Sequence, residues 1–139
     1  MRFLVMVKAT KESESGALPD PQLMAEMHKF NEELVKAGVI LAAEGLQPSS
    51  KGARVRFNGK NRAVIDGPFA ETKELVAGFW LWQVKSLDEA IEWVKRCPNP
   101  FHEESEIEIR QVYEAADFAE VAPEVVEKEE QMRRELANM

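Results

Sequence analysis

Two histidines, one cysteine and a few carboxylates at segment boundaries are the groups through which this chain could do acid–base or nucleophilic chemistry. Asp66 opens the string Asp66-Gly67-Pro68-Phe69, at the join between a hairpin segment (53–65) and the very apolar run Leu75 to Val84. Gly tolerates positive φ, while Pro fixes φ and pushes its neighbour out of the helical region. A carboxylate is therefore held at a strand end on a stiff turn, where it serves as an acid or base or caps its own turn. His28 projects at the edge of an apolar helix face defined by Met27 and Leu34. From there it can reach a cleft with one nitrogen toward the sheet, or pair with Glu32 one turn on. If His28 and Asp66 meet, the carboxylate fixes the imidazole tautomer and raises its basicity. The pair could then move a proton on a small carbon acid, as an isomerase or lyase requires.

Four further residues are candidates for holding a ligand beside that pair: Lys8, Glu44, Arg54 and Phe69. Glu44 interrupts the apolar run Val39 to Leu46. It is either buried and paired, as carboxylates at sites often are, or left in solvent where the strand ends at Gly45. Lys8 closes the first strand and offers positive charge to an anionic ligand, or snorkels to the surface. Arg54, Arg56 and Arg62 form a basic cluster on the hairpin; they grip a carboxylate ligand or pair with Glu71 and Glu74. Cys97, between Arg96 and Pro98, reads as half-buried packing rather than as a nucleophile. His28 and His102 are far apart, with no Cys or second His near either, so no metal site is expected. No phosphate loop, dinucleotide fingerprint or nucleophile elbow is present, and no cofactor is expected.

The elements that must position these groups follow from apolar periodicity. Arg2 to Ala9 carries Phe3, Val5 and Val7 on one side and Leu4 and Met6 on the other, the pattern of a central strand. After a polar loop (11–20), Asp20 caps a helix that starts at Pro21 and runs to Ala37. Its inner face is Leu23, Met24, Met27, Phe30, Leu34 and Val35, and Gly38 ends it. Val39 to Leu46 is a second strand. A hairpin follows around Asn58-Gly59, where two- and four-residue loops both give sensible cross-strand pairs. Leu75 to Val84 is the longest strand, with Trp80 and Trp82 on one face and Phe79 and Leu81 on the other. Ser86 with Glu89 forms a capping box for a second helix, closed by Arg96 and Pro98. Glu104 to Val112 alternates as a last strand, and Pro123 starts a charged helix.

This order predicts an α+β fold, a ferredoxin-like layer with a mainly antiparallel sheet and two helices on one face. The other sheet face is apolar and uncovered within one chain, which predicts a homodimer packed through that face as an α+β barrel. Residues 1–118 form the domain and 119–139 a charged helical tail, which docks on the body or the dimer mate, or frays.

The chain has 139 residues, 45% of them hydrophobic, enough for one domain with a real core. A net charge of −7 and a pI near 5.0 argue against nucleic acid as a partner. Much of the acidity lies in residues 114–139, where Glu114, Asp117, Glu120, Glu124, Glu127, Glu129, Glu130 and Glu135 face only Lys128, Arg133 and Arg134. One cysteine excludes an internal disulfide. With no signal peptide and no bilayer-length apolar run, a cytoplasmic protein without membrane contact is expected.

The string from Asp66 to Glu74 (DGPFAETKE) stands with several other ordered segments. These are Arg2 to Lys8, Glu33 to Leu46, Gly78-Phe79-Trp80, Cys97-Pro98 and Glu108-Ile109-Arg110. Together they resemble the YCII-related family, and within it the DGPF-domain proteins named for that tetrapeptide, over about residues 1–118. The resemblance implies a dimeric α+β barrel with a histidine and an aspartate in a cleft between helix and sheet. Asp66 matches the motif aspartate, and His28 lies near where the wider family places its histidine. Relatives include muconolactone-isomerase-like and dehydrochlorinase-like enzymes, and some DGPF members are encoded beside extracytoplasmic-function sigma factors. Two functions follow. One is a cofactor-free isomerase, lyase or dehydrochlorinase acting through His28 and Asp66 on a small anionic or hydrophobic molecule. The other is a non-catalytic homodimer that binds a metabolite or a protein, in a stress-response or sigma-factor-linked pathway.

Overall fold

Strand alternation and helix capping together set the architecture seen in a computed structural model of residues 1–139. The chain runs β1 (Arg2–Lys8), α1 (Lys11–Glu14), α2 (Pro21–Lys36), β2 (Ile40–Gly45), β3 (Ala53–Asn58), β4 (Asn61–Asp66), β5 (Val76–Gln83), α3 (Leu87–Lys95), β6 (Ile107–Gln111) and α4 (Pro123–Ala137). The fold is α+β with a mainly antiparallel sheet and four helices, and the sheet does not close into a barrel. Strand order is β2-β5-β1-β6, every neighbouring pair antiparallel, which is the ferredoxin-like arrangement.

Register sorts the side chains. Val5 lies opposite both Trp80 and Ile109, and Phe3 opposite Trp82, so this face receives the helices. Phe30 and Leu34 of α2 and Ala90 of α3 pack there with Phe3, Val5, Val7, Trp80, Trp82 and Val84. Phe3, Val5, Leu34 and Trp82 lose almost all solvent contact, and burial of each contributes about 1.5–3 kcal/mol. The Asp20 side chain accepts the Leu23 N–H at 2.8 Å to start α2, and the Ser86 hydroxyl accepts the Glu89 N–H at 3.1 Å to start α3. On the opposite face Leu4 pairs with Leu81 and Met6 with Phe79.

Three local features go beyond the sequence reading. The polar stretch after β1 contains the one-turn helix α1, capped reciprocally by Thr10 and Ser13. β3 and β4 form a separate two-stranded sheet rather than joining the main one. In that hairpin Asn58 pairs with Asn61, so the loop is Gly59-Lys60. Only Gly59 has positive φ (60°), the pattern of a type II′ turn with Gly first, and this selects the two-residue register.

Candidate functional site

A cleft of about 640 Å³ opens between α2 and the β2–β5 end of the sheet. Leu23, Met24 and Met27 come from α2, Trp80 and Phe79 from β5, and Leu18 and Phe101 from the loops that flank the opening. The 3.6-residue stripe of α2 thus does two jobs. Phe30 and Leu34 fill the core, while the turns nearer the N-terminus leave their apolar side chains as a cleft wall. Trp80 Nε1 donates to Asn31 Oδ1 at 2.8 Å, which holds both residues on that wall.

His28 and Glu44 are the ionisable residues on the wall. His28 is exposed, and its Nε2 lies 2.8 Å from Glu32 Oε1 one turn on. Glu44 pairs in register with Phe79, on the sheet face away from Trp80, and is exposed where β2 ends at Gly45. Asp66 is exposed at the end of β4 and is not on the cleft wall; no hydrogen bond or ion pair joins it to His28 within the chain. Lys8 pairs weakly with Glu108, at 4.0 Å, and also lies off the wall.

Asp66-Gly67-Pro68-Phe69 is instead stitched to the turn after β2. The Gly67 N–H donates to the Gly52 carbonyl at 3.0 Å, and the Phe69 N–H to the Ser49 hydroxyl at 3.0 Å. The Ser49 hydroxyl in turn donates to the Glu14 carboxylate, which also accepts the Ser49 N–H at 2.8 Å. Pro48, the neighbouring residue, lines the cleft, so the tetrapeptide braces one end of it through α1. Arg54 stacks on the Phe69 ring, 3.8 Å from its centroid, and Arg62 on Phe57 at 4.4 Å. The expected pairing of hairpin arginines with Glu71 and Glu74 is absent, because aromatic rings closer at hand take two of the guanidinium groups. Cys97 is half-buried against the core, and burial pushes its thiol pKa up to about 12.

One cluster escaped the sequence reading. His102 lies between two carboxylates, its Nδ1 3.1 Å from Glu12 Oε1 and its Nε2 2.8 Å from Asp20 Oδ2. The hydrogen bond with Glu12, then that with Asp20, raises the His102 pKa; the Leu23 N–H, then His102, lowers that of Asp20. Glu12 and Asp20 flank opposite edges of the ring, so the three do not converge on one point, and no group that could hold a metal ion is formed. The bracket ties the 16–20 loop to the 100–102 loop, and both supply cleft wall through Leu18, Pro19, Pro100 and Phe101. Asp20 was visible as a helix cap. Its second partner, 82 residues on, left no local signal.

Sheet, helices and cleft define a small ferredoxin-like α+β protein with an apolar hollow between its first long helix and its sheet. The chain belongs to the YCII-related domain family, whose model matches residues 1–116. It is similar to an uncharacterised protein of Rhizobium meliloti (strain 1021), 33% identical over 91 residues, which cover 66% of this chain and 73% of that protein. No helix is long and apolar enough to cross a membrane.

Proposed function

We propose that the protein binds a small, largely apolar molecule in the α2–sheet cleft, with His28 and Asn31 as polar anchors. The observation that carries this reading is the cleft itself: about 640 Å³, with 12 of its 23 lining residues hydrophobic and only two ionisable, a size and lining typical of small-molecule sites. Trp80 on the wall supplies the readout. Titration with an apolar naphthalene-sulfonate dye should shift tryptophan emission and saturate. Met24→Trp, at an exposed wall position, should weaken binding at least tenfold without moving the urea midpoint. Equal affinity of the wild type and this variant would refute the reading.

Proton transfer is the second reading, and the 2.8 Å His28–Glu32 contact on the wall favours it. A carboxylate hydrogen-bonded to the imidazole fixes its tautomer and orients the ring for proton transfer, as an isomerase, lyase or dehydrochlorinase needs. In the single chain that carboxylate comes from Glu32 rather than Asp66. His28→Ala should then abolish deuterium exchange into a bound carbon acid while dye binding persists.

The reading includes a homodimer through the outer sheet face, where Leu4, Met6, Phe79 and Leu81 form a contiguous apolar patch. Leu81→Asp should shift sedimentation to monomer at micromolar concentration. A reducing, cytoplasmic setting is compatible with the single free Cys97.

A further inference from the structure

Trp80 fixes which way the Asn31 amide faces. An indole N–H can only donate, so the Asn31 atom 2.8 Å from Trp80 Nε1 is the carbonyl oxygen, Oδ1. The amide nitrogen Nδ2 is then the free end, with two N–H donors that meet no acceptor of the chain. Asn31 is half-buried on the cleft wall, where an unfilled donor is costly.

Glu32 orients His28 in the same manner. A carboxylate only accepts, so His28 Nε2, 2.8 Å from Glu32 Oε1, carries a proton. In the neutral ring this leaves Nδ1 as an acceptor. His28 and Asn31 are three residues apart on α2, so their β-carbons lie about 5–6 Å apart on one side of the helix. The cleft thus offers a donor and an acceptor side by side.

The rest of the wall sets the charge. None of its residues is Lys or Arg, and its ionisable members are His28 and the exposed Glu44. Any positive charge on His28 is matched by Glu32. The Ser13 hydroxyl is already spent, donating to the Thr10 carbonyl and accepting the Thr10 N–H. An anionic headgroup would give up its water here without gaining a free cation. An ammonium would turn donors toward the Asn31 donors. A neutral group with an acceptor and a donor on neighbouring atoms satisfies both residues, and a primary carboxamide is such a group.

We propose that the cleft selects an uncharged apolar molecule bearing a primary carboxamide. Its carbonyl accepts from Asn31 Nδ2, and its N–H donates to His28 Nδ1. This rests on the reading of the cleft as a small-molecule site and names the chemical class that site takes.

Four probes that share a naphthalene ring and differ in headgroup test it: naphthylacetamide, its N,N-dimethyl derivative, naphthylacetate and naphthylethylamine. Each is titrated into the full chain at pH 8 by calorimetry. Naphthylacetamide should bind at least tenfold more tightly than the other three. Asn31→Asp keeps an oxygen for Trp80 Nε1–H but exchanges the two donors for an acceptor. It should abolish the acetamide's advantage and make the ammonium probe the tightest. His28→Phe, at an exposed position, keeps a ring on the wall without the acceptor, and should bring the acetamide and its dimethyl derivative to equal affinity. Saturable dye binding with no preference for the acetamide, or with naphthylacetate preferred, would overturn this inference and leave the cleft reading standing. Absence of binding by the dye and by all four probes would refute the cleft reading, and this inference with it.

Discussion

Gly67 packs against the main chain of Ser49 so closely that a β-carbon on it would overlap the Ser49 carbonyl oxygen and lie 2.7 Å from the carbonyl carbon. Backbone, not a flexible side chain, occupies the space. Gly67→Ala should therefore cost about 1–3 kcal/mol, the usual range for overpacking. Gly45 has no atom within 4 Å of its added Cβ and no positive φ. Gly45→Ala should instead be neutral or stabilising by up to about 1 kcal/mol. Urea unfolding of both variants checks the contrast, and equal costs would remove the Ser49 contact as the reason for glycine in the tetrapeptide.

The His102 bracket should make the cleft wall pH-dependent. His102 has a raised folded pKa, so its contribution is complete below its ordinary value of about 6.5 and is lost as pH rises through the folded value. Asp20 has a lowered folded pKa, so its contribution is present above about 3.9 and is lost as pH falls through the folded value. The bracket is thus complete between about pH 4 and 6.5. Amide protection of Phe101, whose N–H donates to Asn99, should fall as the pH rises above about 6.5 in the wild type. In His102→Ala it should be low throughout, and an unchanged wild-type profile would exclude the bracket as a clamp.

Trp80 and Trp82 should respond in the opposite order to their burial. Trp82 is the more buried, yet its Nε1–H has no hydrogen-bond partner, whereas Trp80 Nε1 donates to Asn31. Trp82→Phe loses volume but also removes an orphan donor whose burial costs about 1–3 kcal/mol. Trp80→Phe loses volume and leaves Asn31 unpaired, a further loss of about 1 kcal/mol. Chemical denaturation should show Trp80→Phe to be the more damaging.

Cys97 should be nearly inert in the folded chain. With its thiol pKa pushed up to about 12, its thiolate fraction at pH 8 is about a thousandfold below that of a free thiol. Iodoacetamide labelling at pH 8 should be slow in buffer and fast in 8 M urea. Rapid native labelling would show that the burial around Cys97 opens readily.

Much of the architecture was written locally. The two-sided apolar pattern of β1 and β5, the Asp20 and Ser86 caps and the apolar stripe of α2 each depend on residues two to four positions apart. From them the ferredoxin-like order, and with it the helix-covered sheet face, could be read. Of the candidate site, the sequence by itself placed His28 at the edge of the α2 face and left Glu32 open as its partner, the partner it has.

What only the tertiary structure decided spans longer separations. His102 reaches Asp20 across 82 residues and Glu12 across 90, Phe69 reaches Ser49 across 20, and Arg54 turns to Phe69 instead of to Glu71 or Glu74. Even the hairpin loop was settled by strand register, which put Gly59 first in the turn. Local periodicity sets which face a side chain shows, because a helix or strand repeats every few residues. Which distant loop meets that face depends on how the layers pack, and a charged side chain pairs with the nearest complementary group that packing delivers.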